Sequence, residues 1–487
     1  MSHPPSWPVA QETHGQETHA QQTLRLIGPD PQNWVPKRAG VDHNVAIVGG
    51  GQSGTAFAFA LRRAGIGEVT VIDGAPDPAN AGVWMTRARM NKLRTPKAVP
   101  GPELGLPGLS FQAWFEAHQG TQAYAALDRI PRIDWAAYLS WLRETLAIPV
   151  RYGTRLRRIE PHADYFRLHL EVDGKAVVET TRKIILANGV GGGGGANIPG
   201  VLAQLPTSRY AHTSQHIDFT ALRGKSVAVI GAAASAFDAA GVALESGARD
   251  VHLFARRASI AALPVIRLRV YPGAYDNYYS LPDEFRWRQA MRFRDAGSTP
   301  PVDAIERAVK FPNFHLHLAS TWQSAATEND RIVAETRDGI FHFDFAIAGT
   351  GYFVDPEARP ELSGFAREIA RWRDRYTPRA GEEDDALGAY PYLGAAHEYL
   401  EWTPGRAPYL KDIHVFNPTG FVSHGLPIGD ILSFKRDIPA IVARISRDLF
   451  FADLDAHDQR INAEIAPDFG PDLYATAIWT ASRQAAE

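Results

Sequence analysis

The chain has 487 residues, 45% hydrophobic and 22% charged, with a formal net charge of −3. That length exceeds a single hydrophobic core and calls for two or three domains, while near-neutral charge gives no reason to expect nucleic acid or an anionic membrane as partner. No run approaches the roughly 18 apolar residues of a spanning helix, and a chain with zero cysteines cannot relay electrons through thiols, so disulfide reduction is excluded.

In chain order, residues 1–43 are polar, with Pro4, Pro5, Pro8 and a Gln-Glu-Thr-His sequence that appears twice. They are expected to be an extension, neither a signal peptide nor an evident folded unit, and the expected compartment is the cytoplasm. The apolar run Val45–Val48 then breaks into Gly49-Gly50-Gly51-Gln52-Ser53-Gly54, with Phe57, Leu61 and Ala64 following at helical spacing. A strand, a tight glycine turn and a helix N-terminus suit a pyrophosphate, because glycines admit the phosphates to the backbone while free amides and the positive helix end face them. Val69–Ile72 is a second apolar strand ending in Asp73, 19 residues after Gly54, where a carboxylate can bind ribose hydroxyls; this favours FAD or NAD. Gln52 and Ser53 are candidates for phosphates or the flavin edge, or for capping the helix.

The helical face Tyr138, Trp141, Leu142 reads as core. Lys183–Gly189 reads as a strand of the first sheet, and Gly191 to Gly195 as a flexible connection out of it. A second unit opens at Val227–Ile230, with Gly231, Ala234, Ser235 and Ala236 in the turn and Ala233 in the place of the middle glycine. Its second strand, Val251–Ala255, ends in Arg256 and Arg257 rather than an acid. Two guanidinium groups there suit a 2′-phosphate and favour NADPH, although a charge pair at a strand end is also a common solvated feature. Residues 271–307, rich in Tyr, Arg and Trp, break the alternation and are a candidate lid. His315 and His317 alternate along a strand with one polar face, and no metal site is expected from them. Phe345–Ala348 is a further strand, ending in Gly349-Thr350-Gly351-Tyr352, and Asp430 precedes a helix over 433–449, with Ile438, Ile441, Val442 and Ile445 on one face.

The order of a Gly-rich FAD turn, a Gly-x-x-x-Ser-Ala turn and a late Gly-Thr-Gly-Tyr resembles the class B flavin-dependent monooxygenases, among them N-hydroxylating and flavin-containing enzymes. Ala81-Gly82-Val83-Trp84 is similar to the family's Gly-Gly-x-Trp over FAD, and His424-Gly425-Leu426 with Leu432-Ser433 to the late stretch of N-hydroxylating members. The Baeyer–Villiger fingerprint is broken, only His212 being kept. The Lys-Asp-Leu segment of ornithine hydroxylases is absent, Lys92-Leu93-Arg94-Thr95 standing roughly there.

The resemblance implies an α/β fold of two nested Rossmann-like domains: FAD-binding over 44–220 and 345–450, interrupted by an NADPH domain over 221–344, with a tail over 451–487. It implies FAD and NADPH as cofactors, with Trp84, Gly351, Tyr352 and Asp430 near them. The loop 90–97 would run beside the isoalloxazine, with Asn91 as donor and Arg94 or Lys97 stabilising negative charge. It also implies a C4a-hydroperoxyflavin that oxygenates a small nucleophile, N-hydroxylation of an amine being favoured over S-oxidation. An NADPH oxidase or quinone reductase releasing peroxide, a non-catalytic redox sensor and a homo-oligomer stay open.

Overall fold

The computed structural model describes residues 18–426 and 429–479. The strands that position the two sites are, in chain order, β1 (His43–Val48), β2 (Val69–Ile72), β3 (Thr154–Pro161), β4 (Phe166–Val172), β5 (Lys175–Leu186), β6 (Gly194–Ala196), β7 (Tyr210–His212), β8 (Ser226–Ile230), β9 (Asp250–Phe254), β10 (Phe314–His317), β11 (Phe345–Ala348), β12 (Tyr352–Val354) and β13 (Ile413–Val415). The helices used below are α1 (Gln52–Arg63), α2 (Ala234–Glu245), α3 (Asp283–Ala296), α4 (Val302–Val309), α5 (Ile431–Ala452) and α6 (Leu454–Ile461).

Two sheets carry the molecule. The first runs β2-β1-β5-β4-β3, with β13 also pairing β5. Its centre is parallel, Val45 lying opposite Val69 on one side and Lys183 on the other, while β3 and β4 fold back antiparallel. The apolar stretches Val45–Val48 of β1 and Ile184–Leu186 at the end of β5 lie where both faces of the sheet are covered; Val45, Ala46, Ile47, Ile184 and Ile185 are fully buried. α5 lies along α1 and buries Phe434, Ile438, Ile441 and Ile445 on the face expected from their spacing. The second sheet is entirely parallel, in the order β10-β9-β8-β11-β7.

That pairing corrects the expected boundaries at 221 and 345. Tyr210–His212 and Phe345–Ala348 both pair within the second sheet, the latter beside β8 and the former beyond it at the edge, and Ala346, Ile347 and Ala348 are fully buried there. The glycine run also departs from expectation: it is not a flexible connection. Gly194–Ala196 pairs antiparallel with Tyr352–Val354, and the run threads between packed neighbours. A Cβ on Gly192 would lie 1.9 Å from Asn188 Oδ1, one on Gly193 1.8 Å from Thr419 Cγ2, and one on Gly194 2.2 Å from the Phe353 carbonyl oxygen. Glycine stands there because nothing larger fits.

Residues 18–43 are folded too. Thr18 and Gln21 form a reciprocal cap on the helix His19–Leu26. The chain then straps across the end of α1, Trp34 Nε1 donating to the Ala64 carbonyl at 2.8 Å and Val35 burying its side chain. The polar composition concealed this because the contact is carried by a few scattered apolar side chains, Ala20, Leu24, Ile27, Trp34 and Val35. Residues 1–17, with Pro4, Pro5 and Pro8, lie outside the described residues.

Candidate functional site: two nucleotide crevices facing each other

At the first crevice the glycines divide their work. A Cβ on Gly49, whose φ is +113°, would sit 2.3 Å from the Ala187 carbonyl oxygen, and one on Gly54 1.9 Å from the Gly49 carbonyl oxygen; both glycines serve packing of helix on strand. A Cβ on Gly51 would meet nothing nearer than Gly82 Cα at 4.0 Å. Gly51 is the N-cap of α1 and no side chain caps the helix, so the first-turn amides and the positive helix end are offered to a diphosphate. Asp73 braces the turn, Oδ2 accepting from Gly50 N–H and Oδ1 from Ala75 N–H, both at 2.7 Å. A carboxylate has about four acceptor positions, so two remain for ribose hydroxyls. These features fit FAD.

Gln52 is engaged otherwise than as a phosphate ligand. Its Nε2 donates to the Gly429 carbonyl and its Oε1 accepts from Trp135 Nε1, each at 3.1 Å. It thereby ties the first turn of α1 to the approach to α5. Ser53 is buried. Trp84 is half-buried and meets Trp135 edge-on at 6.4 Å; Tyr138 and Leu142, expected as core, are fully buried. Asp430 caps α5, accepting from Ile431 N–H at 2.8 Å, and also accepts from Thr95. Desolvation raises its pKa against the Ile431 N–H hydrogen bond and the attraction of Arg94.

The second crevice repeats the geometry with substitutions. Gly231 has φ +115°, and a Cβ there would lie 2.3 Å from the Gly349 carbonyl oxygen. Ala236 stands where the first site has Gly54, and Gly349 makes room for it: a Cβ on Gly349 would come within 2.6 Å of the Ala236 methyl. Ala233 is the N-cap of α2, again without side-chain capping. Ala234 is buried, and Ser235 is half-buried in the first turn. Of the two arginines expected to share a 2′-phosphate, Arg257 is committed elsewhere, donating to the carbonyls of Asp295 at 2.7 Å and Arg294 at 3.0 Å at the end of α3. A cation at a helix C-terminus satisfies orphan carbonyls. Arg256 is exposed, with no side-chain partner among the described residues.

Between the crevices lies a charged cluster that sequence reasoning missed. Asp238, on the second turn of α2, is only 6% exposed at its side chain, and Arg94 Nη2 lies 3.8 Å from its Oδ2. Burial pushes its pKa up to about 6, outweighing Arg94 and Arg307. Arg307, on α4, holds Glu245 and donates to the Arg89 carbonyl at 2.6 Å; Arg89 donates to the carbonyls of Thr213 at 2.6 Å and Gln215 at 3.0 Å. The only signal of Asp238 in the sequence is an acid on the small-residue face of a helix. Arg94 therefore faces the second domain. Asn91 is exposed, its carbonyl accepting from Arg132 N–H at 2.9 Å. Lys97, expected near the flavin, instead donates to the carbonyls of Tyr124 at 2.6 Å and Ala125 at 3.1 Å.

The linker residues converge as well. Gly351 has φ +77° and its carbonyl accepts from Asn197 N–H at 2.9 Å. Tyr352 stands edge-on to buried His212 at 5.3 Å, and His212 Nδ1 bonds Ser214 Oγ at 2.8 Å.

The candidate lid over 271–307 is docked. Tyr275 donates to the Leu432 carbonyl and lies under Arg436 at 4.0 Å, and Arg436 donates to the Tyr275 carbonyl. Arg269 and Arg286 are buried among aromatic rings, not held for an anion. Tyr279 stacks on His424, which stacks on His397 at 3.6 Å between ring centroids, with His397 Nε2 3.3 Å from Asp437. Ligand atoms of His397, His424 and Asp437 come within 4.8 Å of one another, but Arg436 occupies the Asp437 carboxylate, and near-parallel rings do not aim two nitrogens at one ion.

Residues 43–267 match the family model of pyridine nucleotide-disulphide oxidoreductases. The chain is 40% identical, over 442 residues covering 90% of it and 93% of the relative, to an FAD-dependent urate hydroxylase from Xanthomonas campestris pv. campestris. This chain belongs to the class B flavin-dependent monooxygenases. Its fold is also that of the ornithine hydroxylase of Pseudomonas aeruginosa, with a TM-score of 0.66, 21% identity and coverage of 84% of this chain and 99% of that one. A third match is the ornithine N-hydroxylase of Kutzneria sp. 744, with a TM-score of 0.65, 17% identity and coverage of 83% and 99%. The expected flavoprotein monooxygenase class, with FAD as cofactor, is thus borne out. Among the described residues no helix is long and apolar enough to cross a membrane.

Proposed function

We propose that this monooxygenase hydroxylates a small, planar, electron-rich heterocycle of the urate type at the expense of NADPH and dioxygen. The observation that carries the reading is the 40% identity to a urate hydroxylase, spread over 90% of the chain rather than confined to the nucleotide turns. The recess between the crevices supports it. Arg94 supplies a cation and Asp430 and Thr95 supply polar groups, which suits an oxidised purine, a ring that carries negative charge and alternates N–H donors with carbonyl acceptors.

Bound FAD would take hydride from NADPH and activate dioxygen for transfer of one oxygen atom. The protein's part is to hold the two nucleotides face to face, orient the substrate and keep water out. Arg94 is the residue we assign to negative charge on the flavin side, its approach set by Asp238. Arg256 is assigned to the 2′-phosphate of NADPH. N-hydroxylation of an amine is the second reading, favoured by His424-Gly425-Leu426 with Leu432-Ser433.

The deciding experiment follows NADPH, dioxygen, hydrogen peroxide and product together, with urate and with a panel of small amines. NADPH use that rises with urate, with little peroxide and a hydroxylated purine formed, supports the proposal. Coupling to an amine alone would transfer it to the second reading. Peroxide equal to NADPH with every substrate would make the protein an oxidase, and a bound flavin that NADPH never bleaches would make it a sensor.

A further inference from the structure

The end of the described chain makes no use of its own body. Every residue from Asp458 to Trp479 is exposed, including Ile461, Ile465, Phe469, Leu473, Tyr474, Ile478 and Trp479, with Ile465 and Trp479 exposed to 90% and 85%. Large apolar side chains at that density are far beyond the scattered singles of an ordinary surface. The segment nevertheless has local order: Pro471–Leu473 and Ala475–Ala477 are tight helical turns, and the Phe469 and Tyr474 rings meet edge-on at 6.3 Å. Over 461–479 the only charged residues are Glu464, Asp468 and Asp472, so this stretch is an acidic, apolar arm.

A face of the opposite character lies elsewhere on the molecule. The turn Val265–Arg269 packs on α3, and around it Leu263, Leu268, Tyr271 and Phe285 are exposed. Arg267 and Arg292 are exposed on the same pair of elements, and neither has an acidic partner among the described residues. The arm departs from α6, which is anchored beside the first domain through the tilted contact of Trp34 with His457, the stacking of His457 on Phe450 of α5, and the ion pair of Arg182 with Asp453 just before α6.

We propose that the arm, residues 461–479, seats on the 263–292 face of a second copy of this chain, the two copies exchanging arms about a twofold axis. Such an exchange closes at two chains, since each arm fills the other's face. Apolar side chains supply the contact, and the three carboxylates opposite Arg267 and Arg292 set its direction. A pair of arms of this length reaches the size of a standard interface, about 800 Å² per partner.

The test is light scattering on the FAD-loaded protein after size exclusion, at micromolar concentration. The full chain is expected at twice the chain mass. A chain ended at Arg460, and the pair Phe469→Ser with Trp479→Ser, are expected at the single-chain mass with the flavin spectrum unchanged. Arg267→Glu with Arg292→Glu should dissociate the dimer, and mixing that variant with one carrying Glu464→Arg, Asp468→Arg and Asp472→Arg should restore it. A monomeric full chain, or a shortened chain that keeps the double mass, would overturn the proposal. Dissociation on shortening without any response to the arginine reversal would overturn the assigned seat.

Discussion

At the residue scale, the cluster between the crevices has a measurable electrostatic signature. Asp238 has its pKa raised to about 6 from a usual value near 3.9, so the folded state binds this proton more tightly than the unfolded chain does. Stability then falls as pH rises from about 4 to about 6, by about 3 kcal/mol, and the deficit persists above that window. Asp238→Asn should raise the melting temperature at pH 8 by roughly 3–6 °C and leave it unchanged at pH 4; equal shifts at both pH values would show that the carboxyl is not held protonated. Arg256→Ala should raise KM for NADPH by about 10–100-fold, as loss of a charge-assisted contact does, and leave KM for NADH nearly unchanged. Arg257→Ala should affect neither selectively, because its guanidinium caps α3. Gly49, Gly51, Gly54 and Asp73 were legible because each is demanded by backbone geometry within a single turn. Asp238, Gln52 and Arg257 were not, since what they do depends on α4, Trp135 and α3, far away in the chain.

At the scale of elements, the glycine run gives the sharpest contrast between composition and structure. In a loose connection Gly193→Ala would change stability by less than about 0.5 kcal/mol. In the packed ribbon, with Thr419 in the way, it should cost about 1–3 kcal/mol and lower flavin retention, read by thermal unfolding and by the flavin absorbance of purified protein. The second sheet carries its own pH dependence. Burial, then the neighbouring rings of His315 and His317, push the half-buried His252 down to about 4, so the fold loses stability as pH falls from 6.5 to 4. His252→Phe should move acid unfolding to lower pH; an unchanged midpoint would exclude that contribution. β8 and β9 were readable as short apolar runs, the first ending in small residues that open α2. β13 was not, being three residues long with His414 in its middle, nor was β7, equally short; β11 was readable as a strand but not as a member of a given sheet, since pairing is a long-range property.

At the scale of the whole molecule, the nesting of one nucleotide domain inside another was visible in the order of the two turns, while the joints between them were not. The docked segment 271–280 is one joint: Tyr275→Ala should free it from Arg436 and Leu432, seen as faster limited proteolysis within 263–280 with FAD still bound. The other joint is the pairing of β6 with β12. Because the strand leaving the first domain and the strand returning to it are bonded to each other, the second domain is carried on a doubled strip and not on two independent tethers. Such a strip resists stretching and sliding and yields by torsion, so approach and withdrawal of the nicotinamide would follow a single arc, with the crevices kept in register at its two ends.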